Sequence, residues 1–246
     1  MANVTVLLFF ALPIAAMLAF AFVSKARKRK AMTASTCGHT AHPGGTLDHS
    51  AWFIGPVLSK HQGGNKSPGM PAHPALTSEG FAFDIPVGID LPLGTGPKVD
   101  YLTFRHGPLT GKTQIRMRYR LERSDPGVEV YAVPEQQQHA RAPAQITLYF
   151  QREGDDWTTR GEFEAYRWYS PQGHLAEGEH EVVVPLDSGW GATQMSTCLS
   201  NPAAFRAAID NACCAGLVFG GNEVGYGHGM RATGPARFTI TAFEVL

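Results

Sequence analysis

The side chains best equipped for chemistry fall at alternate positions of three segments. Arg116, Arg118 and Arg120 alternate with Ile115, Met117, Tyr119 and Leu121; Tyr149 and Gln151 alternate with Leu148 and Phe150; Glu162, Glu164, Tyr166 and Trp168 alternate with Phe163, Ala165, Arg167 and Tyr169. A period of two puts each set on one face of a strand. Guanidinium, carboxylate, amide and aromatic groups sharing a face suit carbohydrate recognition. A sugar offers an apolar C–H face ringed by hydroxyls, and needs a flat ring beside fixed donors and acceptors. The same pattern also describes a solvated sheet face laced with cross-strand Arg–Glu pairs. A second cluster lies in the glycine-rich stretch 220–229, where Asn222, Glu223, Tyr226 and His228 could line a pocket rim. Its glycines would let backbone approach a ligand closely, and a tight structural loop is the plainer reading.

The other motifs point away from catalysis and cofactors. Glu162 and Glu164 would stand roughly 6–7 Å apart at strand rise, as in a glycosidase pair, but arginine neighbours would keep both ionised. There is no Gly-x-Ser-x-Gly elbow and no His-Glu-x-x-His. The Gly-x-Gly-x-Gly of the late loop has no helix after it, and the turn Gly107 to Thr113 leads into a strand instead of the helix a phosphate loop requires. Cys37-x-His39-x-x-His42 matches no structural zinc spacing, so no metal is expected. The vicinal pair Cys213-Cys214 reads as buried small hydrophobes. Lys+Arg and Asp+Glu are both 21, which gives no general attraction to nucleic acid.

The elements that must carry these residues are mostly strands. Gly (27) and Pro (17) are abundant and charged residues make up 17%, as expected for many short strands joined by turns. Strands are expected at Gly80 to Pro86, Val99 to Phe104, Thr113 to Glu122, around Ile146 to Phe150, Glu162 to Tyr169, Val182 to Leu186 and Ala236 to Leu246. Ala215 to Phe219, apolar throughout, should be central. One helix is expected over Ala203 to Ile209, with Asn201 as N-cap and Pro202 at N1. The fold expected is mainly β, an antiparallel β-sandwich (jelly roll) with one short helix. The strand order, the late helix, the glycine-rich loop and the closing Gly-Pro-Ala-Arg-Phe-Thr-Ile-Thr-Ala-Phe-Glu-Val resemble galactose-binding-like jelly rolls, a group that includes many carbohydrate-binding modules. The resemblance covers residues 76–246 and implies a non-catalytic sugar-binding domain.

Ahead of that domain, Val4 to Val23 is 20 residues without a charge, the length of a bilayer-spanning helix. Lys25, Arg27, Lys28, Arg29 and Lys30 follow as a basic stop. The expected organisation is a transmembrane anchor with its basic flank (1–30), a Gly/Pro/His-rich linker (31–75) and the β-sandwich (76–246). Within the linker, the apolar island from Ala51 to Leu58 could dock on the domain, the membrane or a partner subunit. The partners expected are the bilayer, through residues 4–23, and either a glycan or a protein of a larger membrane complex. The function expected is a membrane-anchored binding module for a carbohydrate or other polar ligand. The alternative is an accessory subunit acting through protein contacts. The candidate ligand-binding residues are Arg116, Arg118, Tyr149, Glu162, Glu164, Tyr166, Trp168, Asn222 and His228. Because basic flanks stay inside, the domain should be cytoplasmic; a periplasmic or extracellular domain is the alternative. A reporter active only in the cytoplasm, fused after Leu246, should therefore be active, and a reporter active only after export should be silent. The reverse pattern would overturn the orientation.

Overall fold

Alternating apolar side chains give each long strand one dry face, and two sheets bury those faces against each other. The computed structural model describes residues 49–55, 71–88, 101–133, 142–155, 161, 165–192, 196–221 and 229–246. The larger sheet runs in the order β1 (Trp52–Ile54), β4 (Tyr101–Arg105), β13 (Ala212–Gly220), β8 (Gln145–Arg152), β9 (Arg167–Tyr169), β12 (Gly191–Ala192), with β10 (Gly173–His174) also paired to β8. The second runs β11 (Gly178–Pro185), β5 (Gln114–Arg123), β15 (Ala236–Val245), β3 (Gly80–Asp84), β2 (Ala75–Thr77). A small third sheet contains β14 (Met230–Ala232), β6 (Val130–Ala132) and β7 (Ala142–Pro143). The described strands pair antiparallel, giving a mainly β, sandwich-like arrangement.

The core lies between the two large sheets. Ile115, Met117, Tyr119 and Leu121 of β5 and Phe238 and Ile240 of β15 meet Leu148 and Phe150 of β8 and Leu217 and Phe219 of β13. Phe83 packs between Phe219 and Phe238, with ring centroids 5.8 and 5.5 Å away. As expected, β13 is central, with β4 on one side and β8 on the other. On the solvent side of the second sheet the β5 arginines pair across strands: Arg116 with Glu244, Arg118 with Glu181, Arg120 with Glu79.

Of the three surfaces open to the apolar island, the β domain is the one that takes Trp52–Ile54. These residues form an edge strand within the span read as linker. Trp52 pairs in register with Phe104 and is fully buried. Its ring stacks on Phe104 and meets Phe243 edge-on, each at 5.1 Å. The Ile54 N–H donates to Ala72 O at 2.8 Å, fixing the segment that leads into β2.

The expected helix is present as α1 (Pro202–Asp210), with Asn201 accepting from the Ala204 N–H and Pro202 in the first turn. Its buried face presents Phe205, Ala208 and Ile209, and Phe205 lies 4.9 Å from the Trp168 ring. No helix among the described residues is long and apolar enough to cross a membrane; Val4 to Val23 and the basic flank lie outside the described residues. Trp52→Ala should cost about 3–5 kcal/mol by leaving a core cavity, read as a lowered urea midpoint of the full chain in detergent. A loss under about 1 kcal/mol would mean that β1 does not contribute to the core.

Candidate functional site

Strand register defines an outer face of the larger sheet that is also buried. Phe53, Thr103, Gly216, Tyr149 and Tyr169 form one row across five strands. Arg105, Cys214, Gln151 and Arg167 form the next row, and Tyr101, Val218 and Thr147 a third. A β-bulge between Ala212 and Cys214 interrupts β13. Both Cys213 and Cys214 join Tyr101, Tyr149, Tyr169 and Val218 in an apolar cluster on this face. Thr103, Gln151, Asp155 and Arg167 share the face, each at most 7% exposed.

Buried polar groups need partners, and here they find one another. A Cβ on Gly216 would come within 2.2 Å of Leu102 O, so this position must stay bare. The bare surface of β13 lets Tyr149 on β8 reach across it to Thr103 on β4, 2.5 Å between hydroxyl oxygens. The Thr103 hydroxyl donates to Gly55 O at 2.7 Å. That uses its only proton, so Tyr149 is the donor to Thr103. Burial, and then the neighbouring Cys214, push the Tyr149 phenol well above its ordinary range, keeping that proton in place. The Cys214 thiol donates to Gln151 Oε1 at 3.6 Å and Gln151 Nε2 donates to Asp155 Oδ2 at 3.1 Å. Arg167 Nε sits 2.9 Å from Asp155 Oδ2, an ion pair too bent for a hydrogen bond. Burial pulls the Arg167 guanidinium down, but Tyr169, Asp155 and Tyr101 outweigh it and the net shift is upward. Tyr101 and Tyr169 share a hydrogen bond of 3.1 Å. Such a network locks strands together through its hydroxyl, thiol and amide hydrogen bonds and the Arg167–Asp155 ion pair, and the Tyr149 phenol stays neutral.

The structure separates the residues that the sequence pattern grouped. Arg116 and Arg118 stand on the solvent face of the second sheet, held by Glu244 and Glu181. Tyr149 belongs to the outer face of the larger sheet. Trp168 was expected beside it and instead points into the core, fully buried, with its Nε1–H donating to Ala165 O at 2.7 Å. The orientation of β9 is thus the reverse of that expected. The indole packs in the core against Phe205, and the outer face offers Arg167 and Tyr169 the partners Asp155 and Tyr101. Tyr166 is also buried, with the Arg152 guanidinium 4.4 Å above its ring. Glu162, Glu164, Asn222 and His228 lie outside the described residues, as do Cys37, His39 and His42. Among the described residues no cluster of three or more His, Cys, Asp or Glu is placed to hold a metal.

Among the described residues, one accessible candidate is an open groove of roughly 530 Å³ beside β3, lined by Pro71, His73, Asp84, Pro86, Val87 and Arg237 among others. Phe83 and Ile85 contribute apolar wall. Arg237 Nη1 donates to Asp84 Oδ1 at 2.9 Å, with the two side chains 41% and 77% exposed. His73 Nδ1 lies 2.7 Å from Trp52 O; a carbonyl only accepts, so this nitrogen carries the proton. None of these residues stood out in the sequence. Asp84 and Arg237 are cross-strand partners 153 positions apart, and nothing local signals such a pair. No protein-family model matches this chain, and no curated protein matches it in sequence.

Tyr149→Phe should lower stability by about 1–3 kcal/mol at neutral pH, because Thr103 Oγ1 loses its donor. The folded phenol titrates above the unfolded one, so this contribution is complete below about pH 10 and is lost as pH rises further. Urea unfolding of both proteins at about pH 8 and pH 10.5 should show the difference shrinking at the higher pH. A difference independent of pH would mean that the phenol proton of Tyr149 does not hold Thr103.

Proposed function

We propose that this chain is a membrane-anchored, non-catalytic β-sandwich of the jelly-roll kind that holds a carbohydrate or another polar ligand in the groove beside β3. One observation carries the reading: the groove sets an exposed guanidinium–carboxylate pair, Arg237 and Asp84, against apolar wall from Phe83, Pro86 and Val87. That combination suits a ligand with an apolar face and a hydroxyl rim. The buried network of the larger sheet acts as scaffold, holding β4, β13, β8 and β9 in register. The groove replaces the residues grouped by sequence pattern as the place where ligand is held.

A second reading is an accessory subunit of a membrane complex. It is favoured by Leu76, 64% exposed on the edge strand β2, and by the cytoplasmic placement expected from the basic flank, where envelope polysaccharide is not met. Titration of a glycan panel against the full chain in detergent micelles separates the two. Saturable binding is expected, weakened roughly 10–100-fold by Arg237→Ala or Asp84→Ala, the loss for a charged hydrogen bond of about 1.5–3 kcal/mol. If the wild-type chain takes no member of the panel, the carbohydrate reading fails and the accessory-subunit reading stands.

A further inference from the structure

Two arginines are buried among the described residues, and their surroundings differ. Arg167, 6% exposed, faces Asp155 at 2.9 Å. Arg231 on β14 is 4% exposed, and no described carboxylate forms an ion pair with it. No hydrogen bond joins its guanidinium to a described residue either. A guanidinium cannot shed its charge at any ordinary pH, and a buried charge without a counter-charge is strongly disfavoured. Among the described residues, Arg231 is thus half of an ion pair whose other half is still to be supplied.

The position of Arg231 shows where the other half would come from. Its Nη1 lies against Gly88, where an added Cβ would approach to 2.8 Å. Tyr131, the cross-strand partner of Arg231, donates its hydroxyl proton to Gly88 O at 3.0 Å and pins that residue. The preceding residue, Val87, bridges to Ala232 and lines the groove. The guanidinium therefore lies against the residue that follows Val87 in the chain, and Val87 is part of the groove's lining. The groove's own carboxylate, Asp84, is already taken by Arg237.

The geometry points to an oxyanion site at Arg231, in which a carboxylate or sulfate group of an acidic sugar completes the buried ion pair while the rest of the ligand enters the groove past Val87. This rests on the groove as the ligand site and narrows its ligand from carbohydrates in general to acidic ones. The planar guanidinium fork suits such groups, since it can donate two parallel hydrogen bonds to one oxyanion. The glycine at position 88 leaves the guanidinium room that a side chain would take.

The test uses the full chain in detergent micelles, with Tm and titration calorimetry against D-galacturonate, sodium sulfate and, as neutral control, D-galactose, all at matched ionic strength. Two variants accompany it. Arg231→Met removes the charge but keeps an apolar stem of similar length, and it should fold at least as well as the parent because no described carboxylate loses a partner. Gly88→Ala keeps the charge and puts a methyl 2.8 Å from Nη1. Galacturonate, sulfate or both should raise Tm saturably, with galactose having a weaker effect. Whichever of the two anions acts names the group that the site takes. Arg231→Met should abolish the response and Gly88→Ala should weaken it by about tenfold or more. No saturable response to either anion, or a response that survives in Arg231→Met, overturns the site. Neutral glycans binding wild type and Arg231→Met equally would leave the groove reading standing and sink Arg231. Anion binding lost in Arg231→Met, with no glycan held by the groove, would do the reverse.

Discussion

Strand β13 is buried at all nine of its positions, so the sheet built around it has no solvent face across its central strands. Every polar group on those strands then has to be satisfied inside the protein, because an orphaned donor or acceptor there carries its full desolvation penalty. Two runs are the outcome: Tyr149 to Thr103 to Gly55, and Cys214 to Gln151 to Asp155, with Arg167 ion-paired to Asp155. It also explains why Gly216 stays bare: a side chain there would both collide with Leu102 O and block the reach of Tyr149 across the strand.

The same constraint pushes accessible chemistry elsewhere. With the outer face of the larger sheet closed, and the solvent face of the second sheet occupied by arginine–glutamate pairs, exposed side chains of mixed character gather at the flank of β3. There β2 is only three residues long and the chain leaves the sheet at Ile85 and Pro86. Short edge elements leave room beside a sheet that long ones would fill. Trp52 helps shape this margin, because its strand anchors Ala72 and its carbonyl orients the His73 ring.

Arg167 and Arg231 show how much context matters for one residue type. Both are buried, and both follow an aromatic or apolar neighbour in a short strand. One forms an ion pair with Asp155 within the protein, while the other lies against Gly88 with its charge uncompensated by the described residues. Their difference lies wholly in what the fold brings near them.

Much of the fold was legible in the sequence because the signals are local. Alternation from Thr113 to Glu122 marked β5 and its inward set; an uninterrupted apolar run marked the central strand; Asn201 and Pro202 marked the start of α1. Each depends on side-chain period or on one backbone hydrogen bond, and neither needs to know where the rest of the chain lies. The candidate site was not legible in this way. Period alone could not say which face of β9 turns inward, because Trp168 and Tyr169 are both aromatic and only the packing of Phe205 against Trp168 decides between them. Nor could it say that a sheet would be covered on both sides, so Tyr149 read as a surface residue. Asp84 meets Arg237, and Arg231 meets Gly88, only after strands far apart in sequence have paired. Charge compensation and burial are properties of neighbours in space, and the tertiary structure alone selects those neighbours.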